Sequence, residues 1–313
     1  MFSTRRAWRR GGLVLSAALG IMASGCGTTE VVSVDGSSTV FLVSAAVAET
    51  CNNTHPDVKV VVSQSGTGGG FKKFAAGEID VCNASRPITA AEAESCQQAG
   101  VEFVEFEIAY DGLAVLVNPR NDWCDSLTVD QLKTIWREEA ADSVTNWNDV
   151  NPDWPDLPFK LYGPGEDSGT FDYFTQAING KEKSGRRDFS QSENDNSLVM
   201  GVSGDKGSLG YFGYGYYAAN KDKLKLLAID GGDGPVAPSP ATVRDGTYQP
   251  LSRPLFIYVR KSSLAQPPVA KFVQHYLDNV HQVAEQVGFV PVPDEVAKRN
   301  AAKLKEAISP PAA

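Results

Sequence analysis

Three short segments of this 313-residue chain place glycine beside hydroxyl side chains in the same setting: Gly36-Ser37-Ser38-Thr39, Ser65-Gly66-Thr67-Gly68-Gly69-Gly70 and Asp167-Ser168-Gly169-Thr170. Each follows a run of strand character and precedes one of helical character. A turn in that position offers backbone N–H groups with no partner inside the helix, at the positive end of its dipole, with hydroxyl donors alongside. That is chemistry for holding an anion. One such turn is ordinary helix capping; three in one chain at strand ends point to a shared ligand. Arg86, between the strand expected at 79–82 and the helix expected at 89–99, adds a guanidinium suited to two-pronged contact with an oxyanion. Its competing role is a surface pair with a neighbouring carboxylate.

Other chemistries fail on spacing. In Gly66-Thr67-Gly68-Gly69-Gly70-Phe71-Lys72 the lysine follows phenylalanine, and the Gly-Lys-Ser/Thr ending of a P-loop is missing. The same stretch lacks the last glycine of the dinucleotide fingerprint. No Gly-x-Ser-x-Gly elbow occurs, and His55, His275 and His281 have neither triad context nor metal-ligand spacing. A binding protein without cofactor or metal is expected, not an enzyme.

Taken together, Asp35-Gly36-Ser37-Ser38-Thr39-Val40-Phe41, residues 65–74 and 79–88, Gly163-Pro164-Gly165-Glu166-Asp167-Ser168-Gly169-Thr170-Phe171, and the later Gly207-Ser208-Leu209-Gly210-Tyr211-Phe212-Gly213-Tyr214 resemble the phosphate-binding protein of bacterial phosphate ABC importers, in the expected order over nearly the whole chain. The resemblance implies an α/β protein with the two-lobed type II periplasmic-binding-protein fold, each lobe a central mixed sheet flanked by helices, joined by a two-strand hinge. It implies inorganic phosphate as ligand and permease subunits as partners. By position it assigns Ser38, Thr39 and the Val40 amide, with Ser65 and Thr67, from one lobe, and Ser168, Gly169 and Thr170 from the other. Two positions depart from the best-known branch: Pro164 stands where that branch has arginine, and Arg86 where it has aspartate. The guanidinium is thus expected to have changed lobes, which leaves the acceptor of the ligand's proton open among Glu166, Asp167, Asp35, Asp80 and Asp195. Such an acceptor would select phosphate over sulfate.

The elements that must position these turns alternate strand and helix, which argues for a sheet with parallel connections. Strands are expected at 31–34, 58–62, 79–82, 101–108, 112–117, 159–162, 209–217, 224–229 and 255–259, and helices at 40–51, 71–76, 89–99, 171–178, 268–280 and 294–308. Thr128-Val129-Asp130-Gln131 has the form of a capping box and opens a further helix. The expected division is 31–117 plus 252–308 for lobe 1 and 118–251 for lobe 2.

At the amino end, four arginines within the first ten residues precede a short apolar run and Ala23-Ser24-Gly25-Cys26. That order reads as a signal peptide over 1–25, a lipidated Cys26 and a tether over 26–30. The protein is then exported, either periplasmic or lipid-anchored at the outer face of the cytoplasmic membrane, and monomeric. Outside the cytosol, Cys51, Cys82, Cys96 and Cys124 are an even set compatible with two disulfides. The full-chain charge of −9 becomes −13 without the leader's four arginines, which disfavours nucleic acid and anionic membrane surfaces. The alternatives are a receptor for sulfate or molybdate, a surface protein without a transport role, and an enzyme acting on phosphate esters.

Overall fold

The computed structural model describes residues 31–166, 168–192 and 194–309; the expected leader, tether, Cys26 and Asp167 lie outside them. In the first lobe the chain runs β1 (Val31–Gly36), α1 (Ser38–Thr54), β2 (Lys59–Val62), α2 (Thr67–Ala75), β3 (Val81–Ala84) and α3 (Ala90–Gln98). It leaves along β4 (Phe103–Val117). The second lobe holds β5 (Ser126–Thr128), α4 (Val129–Trp136), β6 (Lys160–Gly163), α5 (Gly169–Asn179), β7 (Ser190–Gln191), α6 (Asp195–Gly204) and β8 (Ser208–Gly213). It continues through α7 (Tyr214–Ala218), β9 (Lys225–Leu226), β10 (Ala228–Asp230), β11 (Pro235–Val236) and α8 (Pro240–Arg244). The chain returns on β12 (Ser252–Arg260) and ends with α9 (Lys261–Leu264), α10 (Pro267–Gln286), β13 (Val290–Pro291) and α11 (Asp294–Ile308).

A curled sheet runs β2-β1-β3-β12-β4-β8-β6-β7, so both lobes share one path of hydrogen bonds. β1 is parallel to β2 and β3, and β6 to β8, the pattern produced by strand-helix-strand crossovers. The valines of β1, β2 and β3 meet α1 and α10 in one core, around Val32, Val43, Phe272 and Tyr276. Leu113, Trp136, Trp147, Phe174 and Tyr211 anchor the core of the second lobe. This is the two-lobed α/β fold that the sequence led us to expect.

The hinge differs in detail. In place of strands at 101–108 and 112–117 there is one fifteen-residue strand. Its first part pairs with β12, down to Gly112 opposite Ser252; from Leu113 onward it pairs with β8. Residues 113–117 therefore belong to the second lobe's sheet. Tyr110-Asp111-Gly112 looks like a break in sequence, but each position is accommodated in the sheet. Asp111 sits opposite Arg253, and Val243 fills the space a side chain at Gly112 would need, 2.7 Å from its Cβ position. The strand expected at 209–217 stops at Gly213 and turns into α7.

The expected disulfides are absent among the described residues: Cys51, Cys82, Cys96 and Cys124 are free thiols. Each is buried, Cys51 against the α1 core, Cys82 and Cys96 beside Phe71 and Phe74, and Cys124 in the second lobe. They pack as small apolar side chains. Burial pushes the Cys124 thiol up to about 12.

Candidate functional site

α1 begins directly at the end of β1. Gly36 makes this turn with φ +134°, and a Cβ there would lie 2.2 Å from the Asn83 carbonyl oxygen, so only glycine fits. Ser37 caps the helix, its Oγ accepting from the Val40 amide at 3.4 Å. In the other lobe, β6 leads to Ser168, which caps α5 by accepting from Thr170 N at 3.2 Å. The two helix starts face one another. A Cβ on Gly169 would lie 2.6 Å from Thr39 Oγ1, 2.7 Å from Thr39 N and 2.9 Å from Ser38 Oγ. Ser38, Thr39, Ser168, Gly169 and Thr170 border one cavity of about 330 Å³, which Asp195 also lines. Val40 is the next α1 residue, with its amide already engaged by Ser37.

The glycine-rich turn forms the neighbouring wall. The helix expected at 71–76 begins earlier, at Thr67, because Gly70 allows its first turn to press within 2.6 Å (Cβ position) of the Gly36 Cα. Ser65, Thr67, Ser85, Arg86 and Arg253 line a wider cleft of about 900 Å³, with Tyr173, Gln176 and Glu182 of the second lobe across it. Thr67 Oγ1 lies 3.1 Å from Ser85 Oγ and accepts from Ser85 N at 3.2 Å. Arg86 is engaged within its own lobe, donating Nη1 and Nη2 to the two oxygens of Glu92, each at 2.8 Å.

Sequence reasoning missed Arg253, a cation that lines the wide cleft and bonds Thr39 in the wall of the smaller cavity. Its Nη2 donates to Thr39 Oγ1 at 2.8 Å and to Asp111 Oδ2 at 3.2 Å. Its guanidinium carbon lies 3.7 Å from the centre of the Tyr173 ring, a close cation–π stack. Asp111 is 1% exposed; burial pushes its carboxyl up, against the pull of Arg253. No glycine turn marks Leu251-Ser252-Arg253-Pro254. The available signal was a charged residue at the start of a strand returning through the hinge.

The carboxylates divide as follows. Asp35 is buried, pairs with Lys73, and accepts from Ser65 Oγ at 2.9 Å and from the Gly36 amide at 2.7 Å. Burial works to raise its pKa, but the bonds from Lys73, Ser65 and Gly36 outweigh it and hold the carboxyl below the usual range. Asp80 serves the framework, bonded to Ser33, Arg260 and Ser263. Glu166 is paired with Arg187 at 3.0 Å.

Two lobes around a hinge strand, with helix starts converging from either side beside a cleft lined by a half-buried arginine, define a solute-binding protein of the type II periplasmic class. A family model described as the PBP superfamily domain matches residues 24–279. Protein SphX of Synechocystis is 46% identical, aligning with 94% of this chain and 88% of its own. The phosphate-binding protein PstS of Staphylococcus aureus is 38% identical, over 87% of this chain and 81% of its own. A crystal structure of a possible phosphate binding protein from Planctomyces limnophilus matches with a TM-score of 0.85 and 48% identity, over 90% and 99% of the two chains. The chain belongs to the PBP superfamily, and to one family with SphX and the phosphate-binding protein PstS.

Proposed function

We propose that this protein is an exported receptor that captures phosphate between its lobes and delivers it to the permease of an ABC importer. One observation carries the reading: the starts of α1 and α5, from opposite lobes, meet at Gly169 and Thr39, with Arg253 bonded to Thr39 beside them. Helix-start amides and hydroxyls then border one small volume, with a guanidinium bonded to its Thr39 wall, and each charge-assisted hydrogen bond is worth about 1.5–3 kcal/mol. The relatives named for phosphate binding support inorganic phosphate as the anion.

In this reading the Ser38, Thr39 and Val40 segment and Ser168, Gly169 and Thr170 clasp the ligand from two sides. Arg253 supplies its neutralising cation, and Ser65 and Thr67 form the adjacent wall. Arg86 stands at the mouth of the cleft and reaches the ligand only by leaving Glu92. Closure about the β4 and β12 crossing buries the anion and gives the permease a surface made from both lobes. The leader, the lipidated Cys26 and the monomeric state belong to the same proposal. No helix among the described residues is long and apolar enough to cross a membrane. Calorimetric titration of the mature chain in phosphate-free buffer tests the reading: saturable binding at one site is expected, and no heat at millimolar phosphate would overturn it.

A further inference from the structure

A serine hydroxyl has one proton to give, and at Ser65 that proton is already committed. Ser65 Oγ lies 2.9 Å from Asp35 Oδ1. The Asp35 carboxylate is held ionised by Lys73 and the Gly36 amide, so it only accepts, and Ser65 must be the donor. The arrangement is fixed from both ends. Ser65 N donates to the Gly36 carbonyl at 3.0 Å, and the Gly69 Cβ position lies 2.9 Å from Ser65 Oγ, so a larger residue would displace the hydroxyl. Ser65 nevertheless lines the wide cleft together with Arg253. What it presents there is a lone pair, beside the donors Lys72, Arg86 and Arg253 and in a cleft that Glu182 lines as well.

We propose that Ser65 is a specificity-determining residue: its oxygen accepts the hydrogen bond of a protonated tetrahedral oxyanion, and Asp35 is the positioning residue that sets this polarity. The assignment rests on the phosphate-receptor reading. Near neutral pH phosphate and arsenate carry a proton and can donate to Ser65. Sulfate carries none, so its oxygens meet the Ser65 lone pair without a bridging hydrogen. In this assignment the discriminating acceptor is a hydroxyl oxygen, not Glu182 of the same cleft or Asp195 of the smaller cavity. Asp35 faces Ser65 and Lys73, and Asp80 faces Ser33, Arg260 and Ser263.

The test is calorimetric titration of wild type, Ser65→Ala and Asp35→Asn with phosphate, arsenate and sulfate near pH 7, with a thermal melt of each variant to confirm folding. Ser65→Ala is expected to weaken phosphate and arsenate about tenfold while sulfate stays level or tightens. In Asp35→Asn the one remaining acceptor oxygen is neutral and is contested by Lys73 on one side and by Ser65 and the Gly36 amide on the other, so the hold on the Ser65 proton is weakened. That frees the Ser65 proton for the ligand and narrows the phosphate-to-sulfate ratio. If Ser65→Ala weakens all three anions equally, or none, the assignment is overturned. If Ser65→Ala loses the preference and Asp35→Asn keeps it, the role of Asp35 falls alone. A wild type that binds none of the three overturns the receptor reading and this assignment with it.

Discussion

Three single positions carry separable consequences. Arg253 bonds Thr39 and Asp111 at once and stacks on Tyr173, which a planar fork can do and a point charge cannot. Arg253→Lys keeps the charge opposite Asp111 and is expected to weaken phosphate binding at least about tenfold by calorimetry; wild-type affinity would remove Arg253 from the ligand's shell. Arg253→Ala is less informative, because leaving the buried Asp111 uncompensated costs about 3–5 kcal/mol of stability. At Gly169 an added methyl would lie 2.6 Å from Thr39 Oγ1. Gly169→Ala should hold the lobes apart and lose affinity, while the ligand-free melting temperature stays close to wild type, since alanine suits a helix start better than glycine. Asp80 answers to pH. Burial raises its pKa, but bonds from Ser33, Ser263 and Arg260 hold it low. A depressed folded-state pKa contributes stability above the unfolded value of about 3.9, and this is lost as pH falls through the folded value. Denaturant titrations between pH 6 and 3 should therefore show a shallower acid loss in Asp80→Asn than in wild type.

At the scale of elements, α3 shows one carboxylate serving a helix cap and a neighbouring cation together. Thr89 and Glu92 form a capping box at its start, and Glu92 also takes both arms of Arg86. Arg86 is part of that cap in this geometry, so Arg86→Ala should lower phosphate affinity less than Arg253→Lys does; a larger loss would mean that Arg86 exchanges Glu92 for the ligand on closure. The parts legible in sequence were those written locally: the Thr128-Gln131 capping box, the last helix at 294–308 and the glycine turns beneath α1, α2 and α5. Glycine misplaced the start of α2, whose Gly68-Gly69-Gly70 reads as loop because propensity carries no information about Gly36 pressing on it. Arg253 and Asp111 were invisible for a related reason. They are 142 residues apart and meet only because β4 and β12 pair in one register. The cysteine count pointed to disulfides, but burial in apolar clusters explains the same residues.

The whole molecule works against its own proposed ligand at long range. The chain carries −9, and −13 without its first 25 residues, so at low salt, where the Debye length is about 30 Å at 0.01 M, an approaching phosphate meets net repulsion well before it reaches the cleft, and at 0.1 M that reach shrinks to about 10 Å. The charged lining of the wide cleft is of the opposite balance, Lys72, Arg86 and Arg253 against Glu182. The far field and the near field predict different responses to salt. Screening of the far field speeds approach, while the near-field bonds, formed in a closing cleft, are screened much less. The association rate for phosphate, followed by stopped flow, should therefore rise between low salt and about 0.1 M, with little change in the dissociation rate. An association rate that falls as salt rises would mean that the cleft cations dominate at all distances. β4 adds a mechanical counterpart, since one strand pairs with β12 below Gly112 and with β8 from Leu113. The proposed closure bends the sheet at that junction, next to Asp111 and its bond to Arg253, so the proposed neutralising cation and the hinge share one ion pair. X-ray scattering with and without phosphate should show a smaller radius of gyration in the bound protein, and Gly169→Ala should reduce that contraction.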